Sequence, residues 1–198
     1  MNLTLPNVLT LLRIALIPVL FVVFWLPFRW VPPVCCTIFT LAALTDWFDG
    51  YLARKLNQHS AFGAFLDPVA DKLMVVTALI LILVAHQKQL HDSLRIIWLV
   101  IPVAIIIGRE IVISALREWM AEVGNRAAVK VSGLGKLKTT FQMFAIAFML
   151  WRYDLFSIPI YTIGYILLQI AAGLTVFSMA IYLRAAWPHM TAEDVDRD

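Results

Sequence analysis

Long apolar stretches, separated by short polar ones, follow each other along the whole chain. A helix that crosses a bilayer needs about 20 mainly apolar residues, and six stretches approach that length. They run approximately from Val8 to Phe28, Val31 to Leu52, Asp67 to His86, Ile96 to Met120, Lys136 to Trp151 and Ile158 to Trp187. We therefore predict an all-α integral membrane protein with six transmembrane helices.

The polar connections between these stretches are too short to hold a second folded domain. We predict one transmembrane domain over residues 1–187 and a short acidic tail over residues 188–198. No small-residue cleavage motif follows Phe28, so the first stretch is expected to be a retained helix rather than a signal peptide.

Composition agrees with a membrane location. Hydrophobic residues make up 62% of the 198 positions and charged residues 15%, whereas soluble domains have about 45–50% and about 25%. A water-soluble chain of this length could not bury so much apolar surface. The same balance excludes intrinsic disorder, and the adjacent pair Cys35 and Cys36 excludes a disulfide scaffold. A net charge of +3 gives no indication of a nucleic-acid partner.

The basic residues are distributed unevenly between the two ends of the predicted helices. One end would hold both termini and the connections after the second and fourth stretches, with most of the 16 Lys and Arg residues. The exceptions are Arg29, Lys88, Arg95 and Arg152. Because cytoplasmic loops carry an excess of Lys and Arg, we predict that both termini face the cytoplasm.

Four aspartates lie at or near the ends of apolar stretches. Asp46 and Asp49 are three residues apart, and Asp67 and Asp71 are four apart, so each pair shares one face of its helix. An Asp costs about 2.5–3.5 kcal/mol at the centre of a spanning helix and less near its end. Four such residues on matched faces therefore predict a compensating ligand, although Asp67, before Pro68, also has the pattern of a helix cap.

Converging carboxylates repel one another unless cations lie between them. An all-oxygen set suits Mg²⁺, Mn²⁺ or Ca²⁺ better than zinc. Four carboxylates could hold two ions, and paired metal ions are typical of phosphoryl transfer. The sequence thus predicts a two-metal site on the cytoplasmic side.

Small and basic residues accompany the aspartates. Gly50, Ala53 and Gly63 leave room for a ligand or a neighbouring helix. Arg54 is suited to bidentate phosphate binding, although a positive cytoplasmic flank is the plain alternative. Ser60 is a candidate donor to a phosphate oxygen or an ordinary loop serine.

Written as a pattern, residues 46–71 read D-x2-D-G-x2-A-R-x8-G-x3-D-x3-D. This pattern resembles the signature of the CDP-alcohol phosphotransferase family at all eight fixed positions. Segments 7–13, 108–110, 114–119 and 135–139 are similar to bacterial members that use glycerol 3-phosphate, so the resemblance covers roughly residues 5 to 150.

The resemblance implies the CDP-alcohol phosphotransferase fold, with six transmembrane helices, usually as a homodimer in the bacterial cytoplasmic (inner) membrane. It implies divalent metal ions, with Mg²⁺ expected and Mn²⁺ as an alternative, bound by Asp46, Asp49, Asp67 and Asp71, the last also being the general base. The residues implied at the CDP site are Asp46, Asp49, Gly50, Ala53, Arg54, Ser60 and Gly63.

The reaction implied is transfer of the phosphatidyl group from CDP-diacylglycerol to sn-glycerol 3-phosphate, which gives phosphatidylglycerophosphate and CMP. The acceptor carries a phosphate, and Arg109, Arg117 and Lys136 are the expected contacts, with ordinary positive loop charge as the alternative. Glu110 and Glu118 would orient or neutralise these arginines. Arg13 is a weaker candidate, since snorkelling to lipid headgroups explains it equally well.

Other functions stay open at this point. Family members use serine, inositol phosphate or phosphatidylglycerol as acceptors. An intramembrane prenyltransferase also uses Mg²⁺ and aspartate pairs, but its motif lacks the Gly-x2-Ala-Arg continuation. A divalent-cation transporter would need polar residues across the other helix halves, which the sequence does not provide.

Overall fold

A computed structural model of the chain describes residues 5–56, 61–89, 93–122 and 133–192. Within these ranges the chain forms six helices, one for each predicted apolar stretch. They are α1 (Leu5–Phe24), α2 (Val31–Leu56), α3 (Ala61–Gln89), α4 (Ser93–Glu122), α5 (Gly133–Trp151) and α6 (Ile160–Ala192). The all-α prediction is confirmed for the described part of the chain.

Four of these helices are long and apolar enough to cross a bilayer, within Asn7–Phe24, Leu66–His86, Ile96–Glu122 and Ile160–Pro188. The apolar stretches of α2 and α5, Val31–Asp46 and Leu137–Trp151, are shorter. They are shorter because Asp46 interrupts α2 and the polar start of α5 precedes Leu137. Among the described residues, length and hydropathy thus establish four candidate spans, and the count of six stays a prediction.

Most helix bounds differ by a few residues from the predicted ones, and two of these differences have a clear reason or consequence. α1 ends at Phe24 rather than Phe28, because the residue before a proline is disfavoured in helical conformation and Pro27 follows Leu26. α3 begins at Ala61 and continues through Pro68. Asp67 is therefore inside a helix, and its interpretation as a helix cap is wrong.

The helices pack around one main apolar core. α1 contacts both α2 and α3, α5 packs along α6, and α4 packs against α6. Leu20, Phe39, Leu79, Ile106 and Ile146 come from five different helices and are each at most 1% exposed. Because these apolar side chains pack together, the polar ends of α1 to α5 lie beside one another.

The outer surface of the bundle is apolar as well. Val22, Trp98, Ile111, Phe177 and Trp187 are all more than half exposed. Many other large apolar side chains among the described residues are exposed too, whereas soluble monomers expose few large apolar patches. Lipid chains as the surrounding solvent account for both the apolar core and the apolar exterior.

α5 and α6 are in close contact at Gly164. A Cβ placed there would lie 2.9 Å from Met149 Cγ and 2.9 Å from Phe148 Cβ. Small residues allow such close helix contacts in membranes. The contact fixes α5, which carries part of the site described below.

The α5–α6 connection lies at the opposite end of α5 from Gly133. Arg152, Phe156 and Ser157 have positive φ values of 63°, 50° and 66°. The Tyr153 hydroxyl donates to the Arg29 backbone oxygen at 2.6 Å. The α1–α2 and α5–α6 connections are therefore at the same end of the bundle, as predicted from alternating helix directions.

Candidate functional site

Arg13 on α1 reaches the first predicted metal ligand. Its Nη1 lies 2.5 Å from Asp46 Oδ1 on α2. The Arg13 side chain is only 1% exposed, so the snorkelling interpretation is wrong.

Thr10, about one turn earlier on α1, reaches a second aspartate. Its Oγ1 donates to Asp67 Oδ1 on α3 at 2.5 Å. Thr10 is 1% exposed. One face of α1 thus binds an aspartate from each of the two helices that carry the signature.

Asp71 lies in a polar cavity of about 250 Å³ between α3, α4, α5 and α6. The residues that line this polar cavity are Asp71, Lys72, Val75, Arg109, Glu110, Arg117, Gly135, Thr139, Gln142, Met143 and Tyr182. Two of the three expected acceptor-phosphate contacts, Arg109 and Arg117, are in this set. The structure therefore brings the predicted base and two predicted phosphate ligands to one cavity.

Glu110, which lines this cavity, binds two buried cationic side chains. Its Oε1 accepts from Lys138 Nζ at 2.7 Å and from Arg109 Nη1 at 3.1 Å. Lys138 is 1% exposed and Arg109 is 8% exposed. Glu110 compensates their charge, which confirms the expectation that it orients or neutralises an arginine.

Arg109 and Arg117 share a face of α4, as their spacing predicts. Their guanidinium carbons lie 5.8 Å and 5.6 Å from the centre of the Tyr182 ring on α6, within cation–π distance. Arg109 Nε is buried and has no hydrogen-bond partner among the described residues. This nitrogen is a donor that an anionic ligand in the cavity could engage.

A hydrogen bond beside the polar cavity links α3 to α4. Lys72 donates to the Ser114 hydroxyl. Because Lys72 directly follows Asp71, this bond ties the α3 segment that carries the predicted base to α4. On α5, the Gln142 side chain faces the same cavity while only 3% of the residue is exposed.

An apolar groove of about 400 Å³ adjoins the polar cavity and shares Met143 with it. α2 contributes Cys36, Phe39, Thr40 and Ala43, α5 contributes Met143, Phe144, Ala147, Phe148 and Trp151, and Leu155 and Ile160 complete the lining. The groove follows α5 from the polar cavity toward the α5–α6 connection. Its lining suits a hydrocarbon chain.

Several predicted site residues lie outside the part that the structure describes in side-chain detail. These are Asp49, Gly50, Ala53, Arg54 and Lys136, which fall in helices, and Ser60, which falls between them. The tail residues 193–198 also lie outside the described ranges. Gly63 is described and is buried near the start of α3.

The described side chains do not gather three carboxylate, histidine or cysteine groups into a metal site. The Asp49 side chain, one of the four predicted ligands, is not among them. Asp46 and Asp67 each use one oxygen for Arg13 or Thr10, and each carboxylate has a second oxygen. This all-oxygen donor chemistry fits Mg²⁺ or Mn²⁺.

Sequence reasoning missed Thr10, Lys72, Ser114, Gln142 and Tyr182 as site residues. The signal available for Thr10 was its place on one helical face with Arg13, three residues on. From the sequence we expect Lys136, and not Lys138, at the acceptor site. Only packing shows that Lys138 is buried against Glu110.

Comparison with known proteins adds an independent line of evidence. A family model described as CDP-alcohol phosphatidyltransferase matches residues 3–181. Relatives named CDP-diacylglycerol--glycerol-3-phosphate 3-phosphatidyltransferase are 51% identical to this chain in Salmonella choleraesuis (strain SC-B67), Yersinia enterocolitica (serotype O:8 / biotype 1B) and Sodalis glossinidius (strain morsitans). Each alignment covers 94% of this chain and 96–97% of the relative.

Proposed function

The chain belongs to the CDP-alcohol phosphatidyltransferase family, and on that premise we propose that it transfers the phosphatidyl group of CDP-diacylglycerol to sn-glycerol 3-phosphate. The products are phosphatidylglycerophosphate and CMP. The carrying observation is 51% identity, over 94% of the chain, to relatives named for this reaction. The family match argues against the prenyltransferase and cation-transporter alternatives.

The polar cavity supports this acceptor. Arg109 and Arg117 bind its phosphate, since two guanidinium groups offer the donor forks that a phosphate dianion needs. The buried Nε of Arg109, which has no partner among the described residues, is consistent with this role. Lys136 remains a proposed third contact.

Asp71 is the proposed general base. Its place in the cavity beside the two arginines puts a proton acceptor where the acceptor hydroxyl would lie. The proton of the attacking primary hydroxyl passes to the Asp71 carboxylate as the oxygen bonds to the phosphatidyl phosphorus. The phosphoanhydride bond to CMP breaks, and the mechanism needs no nucleophilic side chain.

We propose that Asp46, Asp49, Asp67 and Asp71 hold divalent metal, Mg²⁺ by preference and two ions in number. When bound, the metal neutralises negative charge on the pyrophosphate and on the departing CMP. Arg13 and Thr10 hold Asp46 and Asp67 in place from α1. Gly50, Ala53, Arg54, Ser60 and Gly63 complete the proposed CDP site.

The lipid part of the donor is proposed to enter from the membrane. Because the apolar groove shares Met143 with the polar cavity, an acyl chain can lie along α5 while the headgroup stays near Asp71. Six spans, a cytoplasmic site in a bacterial inner membrane and a homodimer are part of the same proposal. Cross-linking of the protein in native membranes tests whether it is a homodimer.

The test is CMP release by the purified protein in detergent with CDP-diacylglycerol and Mg²⁺. Glycerol 3-phosphate, serine and inositol phosphate are compared as acceptors, and phosphatidylglycerol is added as a lipid acceptor. We expect release with glycerol 3-phosphate, loss of activity with a chelator and recovery with Mg²⁺. Release only with another acceptor would retain the family and overturn the substrate.

Asp71→Asn tests the base within the same assay. It should reduce turnover by at least about 100-fold, which is the lower end of the usual contribution of general base catalysis. Asp154→Asn is the matched control, because Asp154 is an exposed aspartate in the α5–α6 connection. Equal turnover of the two folded variants would exclude Asp71 as the base.

A further inference from the structure

Gln142 is a buried polar residue that the mechanism above does not use. It lies on α5, lines the polar cavity and is 3% exposed. Its Oε1 has no hydrogen-bond partner within the described ranges. A buried carbonyl oxygen without a partner is costly, and a ligand hydroxyl would satisfy it.

The neighbouring side chains narrow down what that ligand group can be. Lys138, one turn earlier on α5, already donates to Glu110. Met143 and Val75 are apolar cavity residues and provide no donor. Other described lining side chains can donate, but none of them is bonded to Gln142 Oε1. This amide oxygen is therefore an acceptor that a ligand hydroxyl fits.

The proposed acceptor has one hydroxyl that is still unassigned. Its phosphate is assigned to Arg109 and Arg117, and its attacking primary hydroxyl to Asp71. The secondary hydroxyl of the glycerol backbone remains. A cavity of about 250 Å³ is large enough for this small molecule. Asp71, Arg109, Arg117 and Gln142 all line it.

We propose that Gln142 determines acceptor specificity by accepting a hydrogen bond from the secondary hydroxyl of the polyol phosphate. This inference rests on the proposed function. A site built to bind a hydroxyl rejects an analogue that lacks it, because the polar group of the protein is then left buried without a partner. The predicted signature is discrimination between acceptors rather than a general loss of activity.

The experiment compares sn-glycerol 3-phosphate with 3-hydroxypropyl phosphate, which lacks the secondary hydroxyl. We expect the unmodified protein to prefer glycerol 3-phosphate by at least about tenfold in kcat/KM. Gln142→Met has a similar shape but no strong acceptor. It should bring the two values within about threefold, with the KM for CDP-diacylglycerol unchanged.

Gln169→Met is the matched control, since Gln169 on α6 donates to the Trp98 backbone oxygen away from the cavity. It should keep the preference of the unmodified protein. A Gln142→Met variant that also keeps this preference would overturn the inference. Equal use of both acceptors by the unmodified protein would also overturn the inference. This measurement does not depend on the folding of any variant. Inactivity of the unmodified protein with glycerol 3-phosphate would instead overturn the proposed function.

Discussion

Arg13 Nη1 and Asp46 Oδ1 are 2.5 Å apart across the interface of α1 and α2, with the arginine side chain 1% exposed and the aspartate 42% exposed. The two residues are 33 positions apart in the sequence. The pair places a buried cation beside the first carboxylate of the family signature. α1 thus contributes to the candidate site as well as being a candidate span.

A double-mutant cycle measures how strongly this pair is coupled. We expect Arg13→Met and Asp46→Asn to show a coupling energy of about 0.5–3 kcal/mol, as residues in one ion pair do. The free energy of unfolding in mixed detergent micelles is the quantity to compare. The Asp46 carboxylate is partly exposed, which should keep the value toward the lower end.

The control is the same cycle between Arg13→Met and Gln169→Met, which have no shared partner in the described hydrogen bonds and ion pairs. These two changes should be additive within about 0.5 kcal/mol. Additivity in the Arg13–Asp46 cycle as well would mean that the ion pair does not stabilise the bundle.

The number and type of elements follow from the sequence because each apolar stretch must be hydrogen-bonded internally in lipid. The eight signature positions likewise lie close together in sequence, so their spacing identifies them. The partners of these residues are a different matter. In the sequence, snorkelling explains Arg13 as well as a site role does, and nothing distinguishes Lys138 or Gln142 from other polar residues, because burial depends on which helices pack together.

Glu110 should be more important for stability than Glu118 two turns along α4. Glu110 accepts from two largely buried cations, whereas Glu118 is exposed. Glu110→Gln leaves those cations without their carboxylate and should cost about 1–3 kcal/mol, below the range for fully buried pairs because Glu110 is 22% exposed. Glu118→Gln should change stability by less than about 0.5 kcal/mol.

Thermal unfolding in detergent measures both glutamate variants. The double variant Glu110→Gln with Lys138→Met should recover part of the loss, because it removes a buried ammonium group that lacks its partner. A double variant less stable than Glu110→Gln alone would contradict this explanation.

Gly164→Ala should destabilise the protein because α5 and α6 are in contact there. The added Cβ would lie 2.9 Å from Met149 Cγ and Phe148 Cβ and 3.0 Å from the Ala145 backbone oxygen. Overpacking of this type costs about 1–3 kcal/mol, and a chain of this length loses about 2–4 °C in Tm per kcal/mol. Thermal unfolding in detergent is the measurement.

Gly173→Ala on the same helix is the control, since no described atom lies within 4 Å of a Cβ placed there. Alanine is also the better helix former, so this variant should keep or raise the Tm. A lower Tm for Gly173→Ala than for Gly164→Ala would show that the contact between α5 and α6 is looser than described.

Cysteine labelling tests which side of the membrane the site faces. Cys35 and Cys36 on α2 are first replaced by alanine, which keeps a small apolar side chain at both positions. Asp154→Cys then probes the α5–α6 connection and Glu122→Cys the end of α4, both at exposed positions. An impermeant maleimide is applied to intact spheroplasts and to permeabilised ones.

We expect Asp154→Cys to react in intact spheroplasts and Glu122→Cys only after permeabilisation. The reason is that the connections beside Arg29 and Arg152 hold few of the basic residues, and cytoplasmic loops carry the excess. Since α4 and α5 carry Arg109, Arg117 and Lys138 toward their other ends, this result would put the polar cavity on the side where a water-soluble phosphorylated acceptor is made. The reverse labelling pattern would place the cavity outside the cell and contradict the proposed orientation.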